Sequence, residues 1–388
     1  MRYSFRLAEL VGHDPDPRKR PGTIKEIVEH TGLDRHQVSG LLKNQVKYIP
    51  FEALSRLCDY LVKKGKVEAD KLPGALFAVE PENFWELLGR RKKLELCVGV
   101  RQAESQEWSG SAWVTASDAV LLGELLNDVS TLGGSAKFRR DFELDNDRID
   151  KDRIVRSELE QLNQTLVWSP SPESSPEVID RSEKVYRAFS DAVGDRAMVC
   201  IGSTKSNPVV ELILAETFGC APFESQDAMN RETERSCPIF LRYRDDDPHP
   251  ASCCSGLSLG RSHNTDQPGI WYETAKGKWA CCPCDNQGND AALVFYIHRE
   301  SQGRLEMVLA GFSGRATRVL ARTLADRAQE FWPPVYHDQG LQIGAFIVQY
   351  HFPQAENLRE EILRTDLQAS TEIIKLSEGV IRRRLQVK

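Results

Sequence analysis

Between residues 35 and 47 the chain sets Arg35, His36, Gln37, Ser39, Lys43, Asn44 and Lys47 around a sparse apolar set of Val38, Leu41 and Leu42. Gln37 carries the amide that pairs with an adenine edge, and Arg35 and His36 can donate to guanine or to phosphate. Ser39, Lys43, Asn44 and Lys47 suit phosphate oxygens, contacts that fix register without reading sequence. A second chemistry lies in three short polar stretches. Gly202–Asn207 offers Ser203, Thr204, Lys205, Ser206 and Asn207; Gly311–Thr317 offers Ser313, Arg315 and Thr317; and Ser117 with Asp118 adds a hydroxyl and a carboxylate. Backbone amides at a helix start, joined by hydroxyls and a basic side chain, make an anion or phosphate site. Asp118 would suit a ligand bearing hydroxyls. A third chemistry belongs to the cysteines, ten in all. Cys281 and Cys284 have the C-x2-C spacing of a zinc ligand pair, and Cys253 with His263 would complete a tetrahedral set. Cys254 and His249 are substitute ligands, and redox-responsive or simply buried thiols are the alternatives.

The first group needs a short helix presented on a compact frame. Thr23, with Glu26 three residues on, predicts a capping box, and Ile24, Ile27 and Val28 supply the apolar side of a helix ending near His30. Gly32 marks a turn that needs a left-handed backbone, Leu33 plugs the angle, and Asp34 caps Arg35–Leu42. Pro50 starts a further helix, Phe51–Lys63, packed through Leu54, Leu57, Cys58 and Leu61. Ser4–Val11 is a short helix candidate before the Pro-rich basic stretch DPDPRKRPG. Over roughly residues 4–70 this pattern resembles the Cro/C1-type helix-turn-helix family of phage and bacterial regulators. The resemblance implies that Arg35–Lys43 reads an operator, and that Asn44–Pro50 with the following helix supports it. The chain departs from the family in its short first helix and the Pro-rich insert after it. A small helical packing domain without DNA contact is the other reading.

The second group needs a sheet. Leu94–Val100 predicts a buried strand, and Ser111–Val129, Ala197–Phe218 and Leu305–Ala325 each repeat strand, small polar loop and amphipathic helix. Such units predict an α/β body with a mainly parallel sheet flanked by helices, with ligands beyond the carboxyl ends of its strands. Further short strands are expected at Phe240–Tyr243, Ile270–Tyr272, Leu293–Ile297 and Ile343–Tyr350, the last late in the sheet or at its edge. Helix is expected near Ile154–Leu162 and over Glu360–Val387; 131–176 and 220–278 otherwise read as polar connections. The expected organisation is a helix-turn-helix domain at 1–70, a linker with a short helix at 71–93, and the body at 94–388 with a cysteine-containing insertion near 250–285. Arg90–Lys93 is a basic cluster at the boundary, a phosphate contact or a solvated linker. The body resembles uncharacterised bacterial ligand-sensing modules that follow DNA-binding domains, a resemblance that carries over no ligand and no catalytic role.

Charge follows the same division. Residues 1–93 carry 18 Lys/Arg against 13 Asp/Glu, and the rest 33 against 44, so a basic head precedes an acidic body. That asymmetry suits a protein offering one end to DNA. No apolar run is long enough to span a membrane and no secretory signal is visible, so a cytoplasmic location without membrane association is expected. The loops match neither GxxxxGK[ST] nor GxGxxG, and no nucleophile–base pair, HExxH or paired carboxylates stand out. The expected function is therefore a transcriptional regulator, in the manner of a repressor. It would bind double-stranded DNA as a homodimer and sense a small effector, anionic or nucleotide-like. The alternatives are an enzyme acting on a nucleotide or sugar phosphate through Asp118, Lys205 and Arg315, and a phage-defence regulator answering to a protein partner.

Overall fold

In the computed structural model, the structure describes residues 3–13, 22–46, 48–102, 112–131, 160–170, 175–223, 235–245, 247, 252–260, 266–285, 288–337, 340–353 and 369–385. Lys47, His249, His263 and most of Asp14–Gly22 lie outside them, as does 154–159 of the helix expected near Ile154–Leu162.

The amino-terminal unit is built from α1 (Leu7–Val11), α2 (Thr23–Thr31), α3 (Arg35–Leu42) and α4 (Phe51–Lys63). Ile27, Val38, Leu41, Leu42, Leu57, Tyr60 and Leu61 are buried together at its centre. The start differs from expectation. Residues Tyr3–Phe5 form a strand, β1, paired antiparallel with β2 (Phe77–Val79), and only Leu7–Val11 is helical. Leu72 and Leu76 join the same core, so chain past residue 70 closes this unit.

A second correction concerns α2. Its cap is Gly22 in a left-handed conformation, and Thr23 is the first helical residue, so the Thr23–Glu26 capping box does not form. Glu26 instead bonds Lys64 and accepts from the Tyr60 hydroxyl, tying α2 to α4. The Lys64 bond holds the Glu26 carboxyl below the usual carboxylate range.

The body is a sheet between two helical layers. Its strands are β3 (Lys93–Gln102), β4 (Ala112–Trp113), β5 (Gln161–Trp168), β6 (Arg196–Ile201), β11 (Asn289–Arg299), β12 (Arg304–Gly311), β13 (Val335–His337), β14 (Leu341–His351) and β15 (Ser370–Lys375). Among the described residues it is nine-stranded, ordered β13-β14-β11-β12-β6-β3-β4, with β15 on β14 and β5 on β3. It is a mixed sheet, not a mainly parallel one. β5, β3, β6 and β12 run parallel; β11, β14, β13 and β15 add antiparallel pairings. The reason is local. β11 and β12 are joined through Glu300–Gly303, and a link that short permits only a hairpin, whereas a parallel crossover needs about a dozen residues. Likewise β4 folds back antiparallel on β3, so the unit expected at Ser111–Val129 adds no parallel strand of its own.

Side-chain alternation buries both faces. Cys97, Met198, Cys200, Phe295, Val308 and Ile347 face one layer, formed by α7 (Ser175–Asp191), α8 (Val209–Phe218) and α10 (Glu378–Leu385). Leu96, Val199, Tyr296, Leu309 and Phe346 face the other, formed by α5 (Phe84–Gly89), α6 (Ala116–Thr131) and α9 (Gly314–Arg327). Phe84 and Trp85 of the expected linker belong to this second core. Where helix was expected over Ile154–Leu162, Gln161 and Leu162 open β5, and over Glu360–Val387 the described part is β15 followed by α10.

Within the stretch read mostly as connection at 220–278, the strands expected at Phe240–Tyr243 and Ile270–Tyr272 form, and β8 and β10 join them in a small second sheet, order β10-β9-β7-β8. Its strands are β7 (Ile239–Arg242), β8 (Ser255–Gly256), β9 (Gly269–Glu273) and β10 (Trp279–Pro283). Arg90 and Arg91 are neither solvated nor turned to a partner: Arg90 is buried on Glu86, and Arg91 on Asp195, at 2.8 Å, and His298. Among the described residues no helix is long and apolar enough to cross a membrane.

Candidate nucleic-acid interface and effector loops

Gly32 ends α2 at φ 67°, its N–H returning to the Val28 carbonyl, and three residues later a new helix begins. Asp34 caps that helix, accepting from the N–H groups of His36 (2.6 Å) and Gln37 (3.2 Å). Gln37 answers by accepting from the Asp34 N–H at 3.3 Å, which completes a capping box. Replacing such a cap costs about 1 kcal/mol. Val38, Leu41 and Leu42 turn inward, while Arg35, His36, Gln37 and Lys43 are exposed and Ser39 is half-buried. Basic and amide groups thus lie in the first turn of α3, the end that enters a major groove in this type of unit.

Two of the expected contacts have intramolecular tasks. The Gln37 carbonyl is engaged by its cap, leaving its amide N–H groups to approach a base. Asn44 adopts φ 56° just past α3, and its side-chain oxygen accepts from the Phe5 N–H at 3.1 Å. It fastens β1 to the end of α3. Tyr48 (82% exposed), between α3 and α4, and Phe51 (86%), the first residue of α4, are large exposed side chains that polarity alone did not single out.

Residues 18–62 match the Cro/C1-type HTH DNA-binding domain. The chain therefore carries a DNA-binding unit at its amino end. No curated protein and no solved structure matches the chain.

The polar loops converge at the opposite end of the sheet, where β3, β6 and β12 finish. Across the β6–β12 seam the Gly202 N–H donates to the Leu309 carbonyl at 3.0 Å. Much of the loop after β6 serves the frame. Asn207, fully buried, donates to the Cys97 (3.0 Å) and Ile201 (3.2 Å) carbonyls, bracing β3 to β6. Gly99 permits this approach, since a Cβ there would overlap the Ser206 carbonyl. The Thr204 hydroxyl bonds Tyr243 and Ser255, fixing the small sheet to the loop. The Ser203 carbonyl accepts from the Ser206 and Asn207 N–H groups. Lys205 and Ser206 stay half-buried at the rim, Lys205 paired with Asp247 at 2.7 Å.

After β12, Ser313 caps α9, accepting from the Arg315 (3.1 Å) and Ala316 (3.3 Å) N–H groups while donating to Asp290. Asp290, at the start of β11, was not anticipated, because an acidic residue opening an apolar strand gives no distinguishing signal. Burial pushes its carboxyl up, against the pull of Ser313, the Ala291 N–H, the Cys284 thiol and Arg244. Arg315 lies over the Phe352 ring at 3.6 Å, and Thr317 turns inward to the Ser313 carbonyl at 3.1 Å. Ser117 comes beside this loop, 3.2 Å from where a Cβ on Gly314 would stand. Asp118 is buried, and burial raises its carboxyl against Thr115, Arg101 and Ser117.

Of the expected metal set, His263 lies outside the described residues, and among these Cys253 is not grouped with Cys281 and Cys284. Cys281 and Cys282 are neighbours on β10 and alternate faces; Cys282 and Cys284 point into the core,. Cys253 lies instead with Cys254 and Glu211.

Proposed function

We propose that the chain is a transcriptional regulator that binds double-stranded DNA as a homodimer through α3. Its body takes a small anionic or nucleotide-like effector in a crevice between the carboxyl ends of β6 and β12. One observation carries the effector site. α8 leaves β6 toward one face of the sheet, and α9 leaves β12 toward the other. Chain departing from adjacent parallel strands to opposite faces opens a crevice at their carboxyl ends, the usual ligand position in open α/β sheets. Lys205, Ser206, Ser313 and Arg315 stand on its rim, with Ser117 beside them.

The layout also supports coupling. The helix-turn-helix unit rests on the other end of the same strands: Glu9 of α1 is buried, and a Cβ on Gly303, just before β12, would stand 2.7 Å from its carboxyl carbon. β12 connects the two ends over about 25 Å at ordinary strand rise. An effector that shifts the β6 and β12 ends would act on the seat of the DNA-binding unit.

Electrophoretic retardation of DNA from the chain's own upstream region tests the proposal. A specific, salt-sensitive shift, altered by a nucleotide or sugar phosphate, is expected. Turnover of those compounds by the purified protein would replace the sensor with an enzyme.

A further inference from the structure

Behind the loop after β6 lies a buried group that the DNA-binding unit and the crevice do not use. Glu211, in the first turn of α8, is 1% exposed and sits among thiols. Its Oε1 accepts from the N–H groups of Cys253 (2.5 Å) and Phe223 (3.3 Å); its Oε2 accepts from the Ser252 hydroxyl (2.5 Å) and the Cys254 thiol (2.7 Å). Cys220, just past the glycine that ends α8, shares a thiol hydrogen bond with Cys253, and Cys253 shares another with Cys254. A carboxylate oxygen and the two sulfurs of Cys253 and Cys254 lie within 4.8 Å of one another. The edges of a zinc tetrahedron, about 3.5–3.8 Å for Zn–S near 2.3 Å and Zn–O near 2.0 Å, fall inside that limit.

Neighbouring cysteines face one point here because 252–254 is irregular chain; in a strand they would alternate,. A buried carboxylate whose close donors are a hydroxyl, two amides and a thiol is costly unless a cation completes it. Arg235 supplies part of that charge, but its guanidinium is spent on the carbonyls of Cys253 (2.8 Å), Ser258 (2.6 Å) and Leu259 (3.1 Å). Those bonds hold the cysteine segment in place. Soft sulfur donors with one carboxylate select a zinc-class ion.

We propose that Cys253, Cys254 and Glu211 bind a single divalent ion of the zinc class, with water in the fourth position, clamping the start of α8 to the segment before β8,. Binding releases the two thiol protons to solvent and leaves two thiolates and one carboxylate on the ion. The clamp also fixes Ser255, which holds Thr204 in the loop after β6 at 2.8 Å. This site is independent of Cys281 and Cys284.

The test uses the full-length protein, purified in reductant, with elemental analysis and cobalt substitution. About one zinc per chain is expected, as are thiolate-to-cobalt charge-transfer bands with tetrahedral visible bands. Cys254→Ser and Glu211→Gln should each weaken chelator-resistant binding by more than the about 10- to 100-fold that loss of an outer-shell partner costs. The double variant Cys281→Ser/Cys284→Ser should keep the metal and the spectrum. Should Cys254→Ser fail to fold, the cobalt spectrum of the unsubstituted protein and of the Cys281/Cys284 variant decides. Folded protein without metal or cobalt bands would overturn the proposal. So would bands lost in the Cys281/Cys284 variant, or a Cys220–Cys253 disulfide mapped in the non-reduced protein.

Discussion

The two polar regions of this molecule use similar residue types to different ends. On α3 and at its end, Arg35, His36, Gln37 and Lys43 stand exposed around a three-residue apolar stripe. At the carboxyl ends of β6 and β12, Thr204, Asn207 and Thr317 are buried and bonded to the fold itself, while Lys205, Ser206, Ser313 and Arg315 are half-buried and also have partners within the fold, Lys205 on Asp247 and Ser313 on Asp290. A polar residue in a short motif is thus ambiguous until its partners are known. In a helix-turn-helix the motif is self-contained, so its outward face follows from helical period. In a sheet the partners come from strands far away in sequence, and they decide which polar groups are left for a ligand.

Four variants test that contrast, beginning with the largest effect. Arg35→Ala with Gln37→Ala should abolish sequence-selective retardation, since a lost bidentate arginine contact to a base costs about 1–3 kcal/mol and the Gln37 N–H contact is lost with it. Thermal unfolding of the body should not change. Retained selectivity would remove α3 from the interface. Next, Gly99→Ala drives a Cβ into the Ser206 carbonyl and should destabilise the body by about 1–3 kcal/mol in denaturant melts,. An unchanged midpoint would show that the loop after β6 is free to move, contrary to its bracing role.

A smaller effect depends on pH. Burial, then Glu124 and Asp326, push the Asp128 carboxyl up to about 7 from 3.8. The fold therefore favours the protonated acid, and stability falls as pH rises from the unfolded value through about 7. Asp128→Asn should raise stability by about 1 kcal/mol or more near pH 8 and leave it unaltered near pH 4; equal gains at both would contradict the burial. Smallest is Lys205→Ala. Its ion pair with Asp247 is partly solvated, so melts should shift by less than about 1 kcal/mol,. Binding of an anionic effector, read by calorimetry, should weaken clearly. An unaltered affinity would move the effector away from the β6 loop.

The sequence by itself determined the helix-turn-helix. Gly32, Asp34 and the stripe Val38, Leu41, Leu42 act within a few residues of one another, so their capping and periodicity predict both the turn and the exposed face. It also marked the strand cores at Leu94–Val100, Leu293–Ile297 and Ile343–Tyr350, because both sheet faces are buried and the apolar runs are continuous. Tertiary structure decided the rest. The Glu300–Gly303 hairpin reverses the sheet, α8 and α9 part to opposite faces, and Cys253 and Cys254 meet Glu211 from a distant segment. Spacing pointed instead to Cys281 and Cys284, of which Cys281 lies on β10 and Cys284 just past its end. Side-chain direction and long-range pairing depend on what each segment packs against, and that information lies in no single stretch of chain.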